Sequence, residues 1–281
     1  MPGANTAREL RIVTGRHWLV ERFSELGAVH DDGSEIDPVA AAETVWWAPG
    51  AWVASAAAAG VRLPLLACGA RWLSTVPGAW RVSGVQVCAL ADVPRVVAGA
   101  DHPRFLKLAE AKVDSFPARV FRPPFTYLAD TLSQFGLPDD TLVQVSDVVE
   151  FVIEARFFIA HEIVTAHSLY RVGDDVWGAP QFARHDKCAE LSAMAALAAQ
   201  VAAQVPAPPG YVLDVGITND GRPLVIEANP AWSSGPYDGD PAGVLEAITA
   251  AHDFERRFPT WAWTMNPVFH QAGPLRVTSR G

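Results

Sequence analysis

The chain has 281 residues, of which 50% are hydrophobic, 19% charged and 10% aromatic, a balance that excludes a disordered or collagen-like polymer and a small disulfide-stapled scaffold. The length suffices for one large domain or two to three lobes. The net charge is −9, from 31 acidic and 22 basic residues with no Lys/Arg block, and this argues against a nucleic-acid partner, whose capture rests on neutralising phosphates.

In chain order, residues 1–23 carry acids and lack an apolar core, so no signal peptide is expected there. Apolar runs predict short strands at 10–14, 44–47 and 85–89 and an Ala-rich helix near 53–59. The longest uncharged run, 44–61, is cut by Pro49 and Gly50 and is too weakly apolar to span a membrane. Cys68, Cys88 and Cys188 have no disulfide or metal spacing, which fits buried thiols in a reducing, cytoplasmic setting. Trp46, Trp47, Trp52, Trp72 and Trp80, and Trp261 and Trp263 in the tail, are expected in the core; an acceptor site or a dimer surface is the alternative.

After a linker at 92–103 the pattern changes to strands, at 104–108, 118–121, 141–146, 151–159 and 163–170. An amphipathic helix is predicted over 185–204, stopped by the Pro-rich 206–210. Arg184 and Lys187 at its start read as a solvated face, with a bound anion as the alternative, and His161, His167 and His185 read as structural or surface residues. A hairpin follows, then a helix over 241–253 and a tail without pattern after Pro259. The layout is α+β rather than a regular βαβ series.

Asp220-Gly221 reads as a two-residue turn, which places Asp214 opposite Glu227 with Asn229 on the same face. Leu213, Val215, Ile217, Leu224, Ile226 and Ala228 fall on the other, core face. Two directly opposed carboxylates repel unless something neutralises them. Two carboxylates and an amide oxygen suit Mg2+; a solvated strand face is the alternative. Only three of the 22 basic residues are lysines, Lys107, Lys112 and Lys187, so a Lys can mark a position that needs a compact ammonium. Glu154 and Arg156, two apart on one strand face, are expected to act together, the Arg reaching phosphate or a substrate carboxylate and the Glu orienting it; a surface ion pair is the alternative.

An Asp followed thirteen residues later by Glu-x-Asn resembles the metal-binding hairpin of ATP-grasp ligases. RFLKLAEAKVDSFPARVF resembles that family's small lobe, and QVSDVVEFVIEARFFI its hinge and the next strand. Lys-x4-Lys, Glu-x-Arg and E-A-N-x-x-W-x-x-G-x-Y are most similar to the R-two-K clade. The resemblance implies two α+β lobes clamping ATP, at 99–148 and 149–281, behind a short N-terminal α/β lobe at 1–98. It implies Mg2+ on Asp214, Glu227 and Asn229, and phosphate contacts from Lys107 and Lys112. Adenine and ribose would meet Ser146, Asp147, Val148 and Glu150, with Gln144 and Glu154 completing the nucleotide set. The activity implied is a ligase that joins a small-molecule or peptide carboxylate to an amine, or another nucleophile, through an acyl phosphate. ADP and phosphate would be released, and a homodimer is the family's habit. A phosphotransferase and a decayed nucleotide-binding module are the alternatives. Two departures stand out: residues 108–120 hold no Gly, leaving Lys112 to compensate electrostatically, and Val212 stands where many members have Arg, leaving the acyl-phosphate step to Arg156 or another arginine.

Overall fold

The computed structural model describes residues 8–184 and 187–278, which leaves His185 outside the described residues. The chain starts with β1 (Leu10–Val13), α1 (His17–Phe23), β2 (Ala28–Asp31), β3 (Glu35–Ile36), α2 (Pro38–Ala41), β4 (Val45–Trp47) and α3 (Gly50–Ala58). A parallel sheet in the order β2-β1-β4 forms this lobe. Helix α3 begins earlier than periodicity predicts, because Pro49, fixed in φ, sits at its N-cap. Strand β2 reads AVHD and is half exposed, so it gives no alternation to detect. Trp46, Trp47 and Trp52 are buried here, and Phe23 meets Trp47 edge-on at 4.9 Å, which is the core reading of these tryptophans.

The middle of the chain forms β5 (Gln86–Ala89), α4 (Val93–Val97), β6 (Arg104–Leu108), β7 (Arg119–Phe121), α5 (Leu128–Ser133) and β8 (Leu142–Asp147). Its antiparallel sheet runs β5-β8-β6-β7, so an edge strand is recruited from ahead of residue 98. The expected linker 92–103 contains α4, whose Pro94 falls in the first turn, where its missing N–H costs nothing.

The last part comprises β9 (Phe151–Ala160), β10 (Ile163–Val172), β11 (Asp175–Val176), α6 (Cys188–Gln204), β12 (Gly210–Thr218), β13 (Pro223–Asn229), α7 (Pro241–Ala250) and β14 (Arg276–Val277). The sheet order is β11-β10-β9-β12-β13. Helix α6 turns Met194, Leu197, Ala198, Val201 and Ala202, an i, i+3, i+4 series, onto one face of this sheet. Lys187 lies 3.8 Å from Glu190 in the helix's first turn, so its charge is met by a side chain. Helix α7 and the N-terminal lobe cover part of the other face, through Phe158, Ala160 and Val212. A Cβ at Gly243 would fall 2.0 Å from the Thr165 carbonyl oxygen, so only glycine lets α7 approach this closely. The tail is not patternless in space: β14 pairs in parallel with β3 of the first lobe. Asn266 donates its amide to the carbonyls of Ala109 (2.9 Å) and Leu142 (3.3 Å) in the middle lobe. Among the described residues no helix is long and apolar enough to cross a membrane.

Candidate functional site

Strands β9 and β12 carry their chemistry by alternation. On β9, residues 154, 156, 158 and 160 share one face; the last two are apolar and buried under α7, while Glu154 and Arg156 reach an open cleft. On β12, Val212 is core and Asp214 faces the cleft. The cleft lies between the five-stranded sheet and the four-stranded sheet and has a volume of about 890 Å3. All twelve residues singled out from the sequence line it.

The hairpin reaches the expected pairing by two deviations that cancel. Its turn is one residue longer than expected: Thr218 N–H donates to Arg222 O (3.0 Å), and Gly221 takes φ +79°, the left-handed position of a three-residue loop. Pairing is therefore offset at Val215–Val225, until a bulge at Ile226 restores Asp214 opposite Glu227 and Val212 opposite Asn229. The bulge has one cost to the sequence reading. Leu224, opposite Gly216, and Ile226 both leave the core face, Ile226 to line the cleft, and Val225 takes their place in the core. A Cβ at Gly216 would lie 2.4 Å from the Phe151 ring and 3.0 Å from Ile226, so glycine here opens an apolar slot beside the hinge.

Register places Ser168, Arg156, Asp214 and Glu227 in one row across four adjacent strands. The two carboxylates do not face each other uncompensated. Arg156 grips Asp214 with two parallel bonds, Nε to Oδ1 (2.9 Å) and Nη2 to Oδ2 (2.8 Å), and both side chains are buried. Lys107 Nζ, coming from the opposite sheet, donates to Glu227 Oε2, and Lys112 Nζ stands 3.7 Å from Oε1. Asn229 Nδ2 donates to Asp214 Oδ2 (3.1 Å) and Glu227 Oε1 (2.8 Å). Burial works against the Glu227 charge, but Lys107 and then Lys112 outweigh it and hold the carboxyl well below the usual range. Burial likewise opposes the Arg156 charge, and Asp214 reverses the balance, so the guanidinium stays protonated.

Glu154 does not orient Arg156. Its carboxylate accepts from Tyr170 Oη (2.6 Å) and from Arg171, the neighbours that β10 brings alongside, while Arg156 is claimed by Asp214 across the other edge of β9. Burial raises the Glu154 carboxyl, with Tyr170 and Arg171 pulling it back. Asp147 accepts from Ser83 (2.6 Å) and Arg104 (2.5 Å), so its side chain is taken by the base of the middle lobe. Ser146 is buried with its hydroxyl on the Asp147 carbonyl (3.1 Å). Gln144 is the cross-strand partner of Lys107; Val148 is 45% exposed at the hinge, and Glu150 accepts from Asn219 Nδ2 (2.8 Å).

Three cleft residues among those the sequence reading gave no role bear on the chemistry. Tyr237 has φ +49°, its carbonyl accepts from Arg22, and its ring centre lies 5.1 Å from the Arg156 guanidinium carbon. Tyr170 stacks on it at 5.2 Å. Only the final Tyr of E-A-N-x-x-W-x-x-G-x-Y marked this wall. The third is Glu110, in the loop between the two lysines. It takes φ +55° and accepts from Gly69 N–H (2.8 Å), and burial pushes its carboxyl up to about 7, partly offset by that bond.

Between pH 4.5 and 7 the folded chain holds a Glu110 proton that the unfolded chain releases, so stability falls as pH rises through that window. Glu110→Gln removes the penalty while keeping an acceptor for Gly69. Urea unfolding is expected to show the variant about 3 kcal/mol more stable than the parent at pH 8 and equal to it at pH 4. Equal stability at both pH values would contradict the burial of this carboxyl.

The donor set fits a hard divalent cation. Asp214, Glu227 and the Asn229 amide oxygen are all oxygen donors, and among the described residues no group of three or more His, Cys, Asp or Glu side chains could hold a metal ion without such an amide. Such an open set suits Mg2+, which shares its sphere with phosphates and water.

A profile of the family described as ATP-grasp domain, R-two-K clade family 3, matches residues 25–248. No curated protein matches the chain. Among solved structures, a RimK domain protein ATP-grasp from Sphaerobacter thermophilus DSM 20745 is similar with a TM-score of 0.51 at 17% identity, over 87% of this chain and 99% of that one. An N5-carboxyaminoimidazole synthetase from Staphylococcus aureus, complexed with ADP, has a TM-score of 0.50 at 10% identity, over 88% of this chain and 78% of its own. At these identities the likeness is one of fold.

Proposed function

Because the chain belongs to the R-two-K clade of ATP-grasp domains, family 3, we propose that it is an ATP-dependent ligase that joins a carboxylate to an amine through an acyl phosphate, releasing ADP and phosphate. The observation that carries this reading is the convergence of three cations and two carboxylates at the floor of one cleft: Lys107 and Lys112 on Glu227, and Arg156 on Asp214. Adenine is assigned to the slot made by Phe151, Ile226 and the hinge around Val148, and the phosphates to the lysine end.

Lys107 and Lys112 leave Glu227 for the phosphates and stabilise the charge that builds on the transferring group. Glu227, Asp214 and Asn229 would then hold Mg2+, whose charge would neutralise the phosphate oxygens. Arg156 uses three N–H groups on Asp214 and Gly235, so two of its five donors remain to orient the substrate carboxylate. The half-buried aromatic wall of Tyr170 and Tyr237 excludes water from that end.

Calorimetric titration with a non-hydrolysable ATP analogue is expected to give micromolar binding with Mg2+. ADP release with the right acid and amine is expected to fall about 100-fold or more in Glu227→Gln. Absence of analogue binding in the parent protein would end the ligase reading. A phosphorylated product in place of inorganic phosphate, read by phosphorus NMR, would replace it with a phosphotransferase.

A further inference from the structure

A second cavity, of about 590 Å3, opens at the outer edge of β10. Ser168 lines it, and Ser168 is the direct cross-strand partner of Arg156. Ladder partners carry their side chains on one face about 5 Å apart. The second cavity therefore begins one strand away from the guanidinium that ends the first.

A row of aromatic rings borders both cavities, Tyr170 and Tyr237 lining the first and Trp177 the second. Tyr170 stacks on Tyr237, Trp177 meets Tyr237 at 5.6 Å and an interplanar angle of 64°, and Trp18 of α1 lies 5.8 Å beyond Trp177. The row starts over Arg156 and ends on a ring that is 39% exposed. The tryptophans that the sequence pattern singled out are not the ones in this wall.

Charge changes sign along the row. Asp238 lines the second cavity, with its backbone N–H on Ser168 Oγ at 3.1 Å, and its carboxylate has no partner among the described residues. Arg22 approaches the same loop but donates to the carbonyls of Tyr237 and Gly239. Aromatic faces beside an unpaired carboxylate recognise an organic cation. Leu169 and Pro180 supply an apolar floor.

We infer that the second cavity takes the nucleophile of the ligation, a primary amine that arrives as an ammonium on an apolar or aromatic carrier. The inference rests on the ligase reading, which supplies the activated carboxylate at Arg156. The ammonium gives one proton to water through the open mouth, and its freed lone pair attacks the acyl carbon. The bond from that carbon to the phosphate oxygen breaks, and the second N–H proton leaves with the phosphate as hydrogen phosphate.

The test is ligand-observed NMR with 2-phenylethylamine and its anionic counterpart 3-phenylpropionate, with the non-hydrolysable ATP analogue and Mg2+ present. Parent protein, Asp238→Asn and Trp177→Ala are compared, and analogue affinity is measured on the same samples. The amine is expected to bind the parent and to weaken about tenfold in each variant, with analogue affinity unchanged and the anion not bound. Equal binding of the anion, or amine affinity retained in both variants, would overturn the inference. So would absence of amine binding beside intact analogue binding, which leaves the ligase reading standing. Loss of analogue binding in the parent removes both.

Discussion

Arg156→Met is expected to lower the free energy of unfolding by about 3–5 kcal/mol, because it strands the Asp214 carboxylate, 2% exposed, without its counter-charge. The double variant Arg156→Met, Asp214→Asn is expected to recover at least half of that loss, since a neutral amide in the same place costs far less than an unpaired charge. Urea denaturation of the two single variants and the double variant closes the cycle. If the losses simply add, the pair is not coupled and Arg156 is free to act elsewhere. Both Arg156 variants should lack turnover, so stability and activity separate the two roles of this arginine: holding Asp214, and offering its spare donors to substrate.

Lys107→Met is expected to move two affinities in opposite directions. Affinity for the ATP analogue should fall about 10- to 150-fold, the worth of one charge-assisted hydrogen bond. Affinity for Mn2+ in the absence of nucleotide should rise. In the parent protein Glu227 is matched by Lys107 and Lys112 and Asp214 by Arg156, so a lone divalent ion meets no uncompensated charge. Removing Lys107 leaves Glu227 only the Lys112 ammonium, whose side chain is 77% exposed. Electron paramagnetic resonance of Mn2+ reads this directly. Tight Mn2+ binding to the nucleotide-free parent would contradict the neutralised arrangement, and the metal would then not depend on the nucleotide to draw the lysines away.

The parts of the site that were legible in the sequence are those that local pattern determines. Strand β6 was readable residue for residue, since RFLKL alternates buried and half-buried positions and carries its lysine on the cleft face. The opposition of Asp214 and Glu227 was legible too, although the longer turn and the bulge at Ile226 each broke the assumed ladder and only together restored it. What local pattern cannot show is which strand lies beside which. The grip of Arg156 on Asp214 spans 58 residues and exists because β9 and β12 are neighbours, so pairing Arg156 with the nearby Glu154 was the natural but mistaken inference. Glu110 was invisible for the same reason. Nothing around it is unusual until Gly69, 41 residues upstream, closes over it. Strand β5 likewise joins the middle sheet from across the expected boundary, because antiparallel pairing with β8 is available to any extended segment that returns there.

The amide of Asn266 has a consequence for how the cleft is entered. The middle lobe hangs from the rest of the molecule by two covalent crossings, before Gln86 and after Asp147, and two such points define an axle. Asn266 adds a mooring away from that axle, on Ala109 and Leu142, beside the Gly69 bond to Glu110 and the Lys107 pair with Glu227, so swinging the lobe requires all of these to break. Ala109 is also the root of the segment that holds Glu110 and Lys112, which runs outside the strand ladders between β6 and β7 and is held by the Gly69 bond to Glu110 and by the buried Phe116. On the ligase reading, nucleotide entry is therefore expected to disturb this short segment more than the lobe that carries it, and amide hydrogen exchange of residues 109–118 with and without the ATP analogue checks this.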